Sequence, residues 1–183
     1  MAYKNKLISN PKTGQDILFI RTGNETNGSL LEMQTTYNAR STEPVMHYHP
    51  LQKEDFMVLS GELTVRIDGK IRILKQGDTL HVPAGKSHAM WNRSSNKTIV
   101  NWQVRPALDT EQFLETGMGL ANDGKVNEKG MPNILQVSLL ANRYSNIFRL
   151  SRPPYVVQRF VFTALTPFAW MRGYKAVYRK YLD

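Results

Sequence analysis

From residue 15 to residue 104 the chain is a succession of short apolar and β-branched runs set off by turn residues, with no helical period interrupting them. DILFIRTG, SLLEMQTTYNAR, DFMVLSGELTVRIDGKIRIL, TLHVPAG and TIVNWQVRP have Gly, Asn, Asp or Pro between them, which is how strands and their turns read in sequence. Asp68-Gly69 separates two alternating runs, Leu63 to Ile67 and Ile71 to Leu74, the strongest local signal for a tight hairpin. Closely spaced strands without covering helices hide their apolar faces by closing on themselves. A barrel or sandwich follows. With 41% hydrophobic residues in 183, a sizeable core can be filled.

After Pro106 the period changes. Asp109 followed by Gln112 resembles a capping box opening a helix that runs to about Leu120, and NDGKVNEKG then reads as a polar loop. Pro132 suits the first turn of a second helix, whose Val137, Ala141, Tyr144 and Phe148 would form one stripe. A third helix is expected after Pro153-Pro154 through VVQRFVFTAL, kinked or ended by Pro167. The predicted organisation is a mainly β barrel domain over 1–106 and a helical C-terminal extension over 107–183, packed on the barrel or on a partner.

Charge is concentrated in that extension. Of the formal +9, residues 141–183 contribute eight Lys and Arg against Asp183 alone, a net of +7. Such a segment suits phosphate-bearing partners or is a solvated helical face. No helix-turn-helix pattern is visible, so nucleic acid is not expected. The stretch 155–171 contains Gln158, Arg159 and Pro167 and falls short of the ~20 apolar residues that cross a bilayer. Its Phe160, Phe162, Phe168 and Trp170 are nevertheless too apolar for a freely solvated helix, which marks an interface. A homodimer is the simplest expectation, and peripheral membrane contact through the basic aromatic tail is the rival. The N-terminal MAYKNKLISNPKTG lacks the apolar core of a signal peptide, so a cytoplasmic location is expected.

The chain has no cysteine, which excludes disulfides, Cys-ligated zinc and iron–sulfur clusters. Any metal must be held by imidazole, carboxylate or water. His47 and His49 are two apart on an expected strand and so face one side. Glu54 follows the short Pro50-Leu51-Gln52-Lys53 connection, and His88 follows the rigid Pro83-Ala84-Gly85 turn. Three imidazoles and an acid suit one divalent transition metal ion, Fe, Mn, Ni, Cu or Zn, better than Ca or Mg. If Glu54 points inward, alternation carries Phe56 and Val58 inward, and His88 carries Met90 and Asn92. Phe56 and Met90 are therefore candidate substrate-pocket residues, although core filling is the simpler account of both. Gln52 and Trp102 are weaker candidates, and His81 reads as an ordinary strand residue.

These residues resemble the two motifs of the cupin family. His47, His49, Glu54 and Gly61 stand at the intervals of the first motif, and Gly77, Pro83, Gly85, His88 and Asn92 at those of the second. The one departure is Ser41, where the first motif opens with glycine. The resemblance spans roughly residues 30–105 and implies a double-stranded β-helix, or jelly-roll, barrel with the metal near one mouth. Glu54 would be both a ligand and, in cupins where the acid swings off the metal, a catalytic base. Among cupins, the quercetinase-like and small single-domain dioxygenases also use three His and one Glu. The functional expectation by that analogy is a mononuclear metal-dependent oxygenase of a small organic molecule, with a non-catalytic ligand-binding or sensing cupin as the alternative.

Overall fold

The computed structural model describes residues 2–182. Eleven strands are formed: β1 (Leu7–Asn10), β2 (Gln15–Arg21), β3 (Leu31–Tyr37), β4 (His47–Tyr48), β5 (Lys53–Ser60), β6 (Glu62–Ile67), β7 (Lys70–Lys75), β8 (Thr79–Val82), β9 (His88–Trp91), β10 (Thr98–Arg105) and β11 (Arg149–Leu150). They make two antiparallel sheets, β1-β2-β3-β10-β5-β8 and β11-β4-β9-β6-β7. Strand alternation decides what goes inside. On β5, Glu54, Phe56 and Val58 are buried while Lys53, Met57 and Leu59 are exposed. Phe56, Val58, Leu63, Val65, Met90 and Val100 form the core between the sheets, each contributing roughly 1.5–3 kcal/mol on burial. The expected hairpin joins β6 to β7, with Asp68 at φ 48° and Gly69 at φ 80°, the two positive values a two-residue turn of this hand requires.

Three helices follow: α1 (Thr110–Asn122), α2 (Ile134–Arg143) and α3 (Tyr155–Met171). Met118 of α1 packs with Ile17, Phe19, Leu31 and Val104 of the six-stranded sheet, and Lys6 forms a buried 2.7 Å ion pair with Glu115. Leu120, Leu140, Tyr144 and Ile147 form a further cluster within the extension. The tail folds back on α1: Tyr181 lies where a side chain on residue 119 would stand, so only Gly119 admits it, and its hydroxyl donates to Asp123 at 2.7 Å.

Three local expectations are corrected. Asp109 is the N-cap of α1, but its side chain makes no capping bond; Asp109 and Gln112 instead accept hydrogen bonds from Arg143, at 2.8 and 3.3 Å. A tertiary cation outcompetes the local backbone for both. Pro132 precedes the cap of α2, and Asn133 caps it by accepting from the Leu135 amide at 2.9 Å. The stripe accordingly breaks, because Tyr144 is the C-cap and Phe148 lies in the turn before β11. Pro167, expected to kink or end α3, does not end it: the helix runs on to Met171. Pro167 and Thr163, whose carbonyl loses its helical partner, are both exposed, so water can take that hydrogen bond.

Candidate metal centre

The ladder between β4 and β9 sets His47 directly opposite His88, with ring centroids 4.6 Å apart. His49, two residues on, returns to the same side, its ring 5.2 Å from that of His47 and 5.3 Å from that of His88. One ring nitrogen from each of the three lies within 4.8 Å of the others. Glu54 reaches them from the other sheet: Oε2 is 2.9 Å from His88 Nε2 and 3.4 Å from His49 Nε2. Its other oxygen accepts from Trp102 Nε1 at 2.9 Å. The structure therefore brings together all four residues that the spacing singled out, with His49, Glu54 and His88 buried and His47 half-buried.

The rings are oriented by their far nitrogens. His47 Nδ1 lies 2.9 Å from the Val45 carbonyl, His88 Nδ1 lies 2.9 Å from the Lys86 carbonyl, and His49 Nδ1 meets the carbonyl of Ile147. A carbonyl only accepts, so each Nδ1 carries a hydrogen and, in the neutral ring, each Nε2 keeps its lone pair. This is the arrangement by which metal-binding imidazoles are held in one tautomer. While the His88 ring is neutral, His49 Nε2 and Glu54 Oε2 are both buried without a hydrogen-bond partner. Buried polar atoms are seldom left so, and two of them aimed at one point in a nitrogen and oxygen donor set fit a bound cation.

The charges of the metal-free site fit together. Burial drives the His47 pKa down to about 3, helped by His88 and His49, and burial lowers His49 as well. Burial also opposes the Glu54 anion, but His49, His88 and His47 outweigh it and bring its pKa down to about 2. His88 is the exception: against burial, its contact with Glu54 raises it. When it is protonated, His88 Nε2 donates to Glu54 Oε2.

Two elements of the centre lie outside the motifs. Ile147 and Phe148 belong to the helical extension, where β11 pairs with β4 and sets Leu150 opposite His47. The Phe148 ring stacks on His47, 4.7 Å between centroids and 23° from parallel. Trp102, a weaker candidate from the sequence, belongs to the centre: alternation along β10 puts it inward with Val100 and Val104, the last facing Glu54 across the ladder. Nothing in the sequence indicates that residues 98 positions further on supply the carbonyl for His49.

The remaining candidates take structural places. Phe56 and Met90 are core residues, Phe56 stacked on Trp102 at 5.8 Å. Gln52 Nε2 donates to the Pro106 and Ala107 carbonyls and to Thr110 Oγ1, fastening the loop after β4 to the start of α1. His81 is exposed beside Asp55. At the motif's missing glycine, Ser41 Oγ accepts from the Asn92 amide at 2.8 Å, so a side chain ties the two motifs together. Gly61 is required: its φ is 81°, and a Cβ there would lie 2.6 Å from the Lys97 carbonyl.

Comparison with known proteins agrees with this architecture. The family model described as cupin domain matches residues 33–102. The chain is 28% identical over 151 residues to a probable oxidoreductase, virH, of Hypocrea virens, covering 75% of this chain and 67% of that protein. It is 24% identical over 92 residues to quercetin 2,3-dioxygenase of Bacillus subtilis, covering 50% of this chain and only 27% of that protein. Among solved structures, an RmlC-like cupin from Shewanella frigidimarina superposes with TM-score 0.50 at 20% identity, over 61% of this chain and 92% of that one. A predicted oxalate decarboxylase from Thermotoga maritima does so with TM-score 0.50 at 19% identity, over 58% of this chain and 99% of that one. At those identities the two structures show the fold alone. Sheet order, motif spacing and family match coincide over the same residues: the chain has the cupin fold, and its residues 33–102 match the cupin-domain model.

Proposed function

We propose that this chain is a mononuclear metal-dependent oxygenase acting on a small organic molecule. The observation that carries the reading is the set of three Nε2 lone pairs, each fixed by a carbonyl behind it, facing the orphaned Oε2 of Glu54. One divalent Fe, Mn, Ni, Cu or Zn ion bound there by His47, His49, His88 and Glu54 would supply the means to bind and activate oxygen or substrate. Trp102 holds Glu54 by one oxygen and leaves the other to face His88 and His49, where it can accept a proton if it is displaced from the ion. The relative described as a quercetin dioxygenase supports oxygen chemistry, and the one described as a probable oxidoreductase supports redox chemistry.

Metal analysis followed by oxygen uptake tests it. The expected result is about one transition-metal ion per chain, lost when His47 and His49 are both replaced by Ala, and oxygen consumption with some member of a panel of phenols and diketones. Unchanged metal in the double variant sinks the ligand set. Full metal with no uptake across the panel favours a ligand-binding or sensing cupin.

The same proposal assigns the outer face of α3 to an anionic membrane surface. Val156, Phe160, Phe168, Trp170 and Met171 are 59–83% exposed on it. No helix of the described residues is long and apolar enough to cross a membrane, so the contact would be peripheral. A second copy of the chain is the other candidate occupant. Charge favours lipid, since pairing these segments sets +7 against +7.

A further inference from the structure

Phe148 belongs to two environments. It stacks on His47, and it also lines an apolar pocket of about 140 Å³ enclosed by α1, α2, α3 and β11. Neither Phe56 nor Met90 borders this pocket. Phe113 of α1, Leu140 and Ala141 of α2 and Phe162 of α3 form its walls. Two cations, Arg149 and Arg159, reach it beside Tyr155, and no acidic residue lines it. The Arg149 guanidinium is held 3.5 Å above the Tyr155 ring, with Nε donating to the Ser145 carbonyl at 2.8 Å.

We infer that this pocket binds a single aromatic ring carrying an anionic oxygen group, a carboxylate or phenolate, and presents it to the metal centre past Phe148. Naming that ring as substrate rests on the oxygenase reading. Size sets the first limit, because apolar cavities of roughly 150 Å³ accept one benzene-sized ring. The lining sets the second: Phe113, Phe148 and Phe162 offer ring faces and edges, which aromatic ligands meet in stacked or edge-on geometry. The paired arginines set the third. Guanidinium groups at the margin of an otherwise apolar pocket, with no carboxylate to neutralise them there, favour an anionic oxygen at one end of the ligand. Position connects it to the chemistry, since Phe148 both lines the pocket and stacks on His47.

Fluorine NMR titration with 4-fluorobenzoate, beside neutral fluorobenzene, tests the inference on the full chain. Saturable binding of the benzoate is expected. Arg159→Gln, at an exposed position of α3, should weaken the benzoate roughly tenfold and leave fluorobenzene unchanged, as removal of one charged partner of an anion does. Ala141→Phe, which fills the pocket, should abolish both. Loading with Mn²⁺ should broaden the bound fluorine signal, because Phe148, which lines the pocket, stacks on His47. Absence of saturable binding, affinity unchanged in both variants, or a bound signal indifferent to Mn²⁺ would overturn the inference. No turnover is measured here, so a failed titration removes the pocket and leaves the oxygenase standing. Failure of the oxygenase itself would appear in the uptake panel.

Discussion

At the residue scale the centre is a competition between a proton and a cation for the same atoms. His47 is neutral at any pH above about 3 and presents no proton to displace. His88 does, because Glu54 raises it. The sign follows: a raised imidazole stabilises the metal-free fold below its unfolded value of about 6.5, and that contribution is lost as pH rises through the higher folded value. Metal must expel this proton, so apparent affinity should climb by roughly tenfold per pH unit until His88 is neutral, then level off. Calorimetry in buffers of different ionisation enthalpy should find about one proton released near pH 6 and fewer at pH 8. A pH-independent affinity would mean that the His88–Glu54 pair is not what the ion replaces. Substitution separates the two partners. Glu54→Gln keeps an oxygen facing the ion, whereas His88→Ala removes a donor that nothing nearby replaces, so His88→Ala should cost the greater loss in a metal titration. The opposite ranking would make Glu54 the anchoring ligand.

At the scale of elements the four candidate ligands come from β4 and the loop after it, from β5 and from β9, and their convergence depends on how these pieces are fastened. Gln52 is a principal fastening, 1% exposed, with its amide nitrogen on two carbonyls and a hydroxyl at the head of α1. Gln52→Ala would leave buried acceptors unmet, and a loss of roughly 1–3 kcal/mol should appear in urea denaturation. A change below about 0.5 kcal/mol would show that water replaces the amide without cost. The strands and the Asp68-Gly69 hairpin were legible because alternation and turn chemistry are local properties of the chain, and the ligand set was legible because its spacing repeats a motif. Ile147, Phe148 and the true partner of Asp109 were not. Each acts across the fold, through a carbonyl, a ring face or an arginine whose use depends on where α1 and β11 come to rest. The capping box failed for the same reason, a long-range ion pair having displaced a short-range hydrogen bond.

At the scale of the molecule, α3 has two unlike sides. Gln158, Phe162 and Ala169 face the protein, while Val156, Phe160 and Met171 recur at helical spacing on the outside, each about 80% exposed. Arg152 and Arg159 stand beside the first turns of α3, and Arg172 and Lys175 follow its last. An apolar stripe bordered by cations matches a lipid interface carrying anionic headgroups, where each nearby Lys or Arg contributes about 1 kcal/mol and each buried large apolar side chain roughly 1.5–3 kcal/mol. The protein should float with vesicles containing phosphatidylserine and far less with phosphatidylcholine alone. Raising salt should release it, because the cations are exposed and screened beyond about 10 Å at 0.1 M. Replacing Phe160 and Met171 together by Ser should lower vesicle affinity at least tenfold and leave metal content unchanged, since neither residue touches the centre. If light scattering instead shows a stable dimer that this double variant dissociates, and no vesicle captures the protein, the stripe is covered by a second copy and the membrane assignment fails.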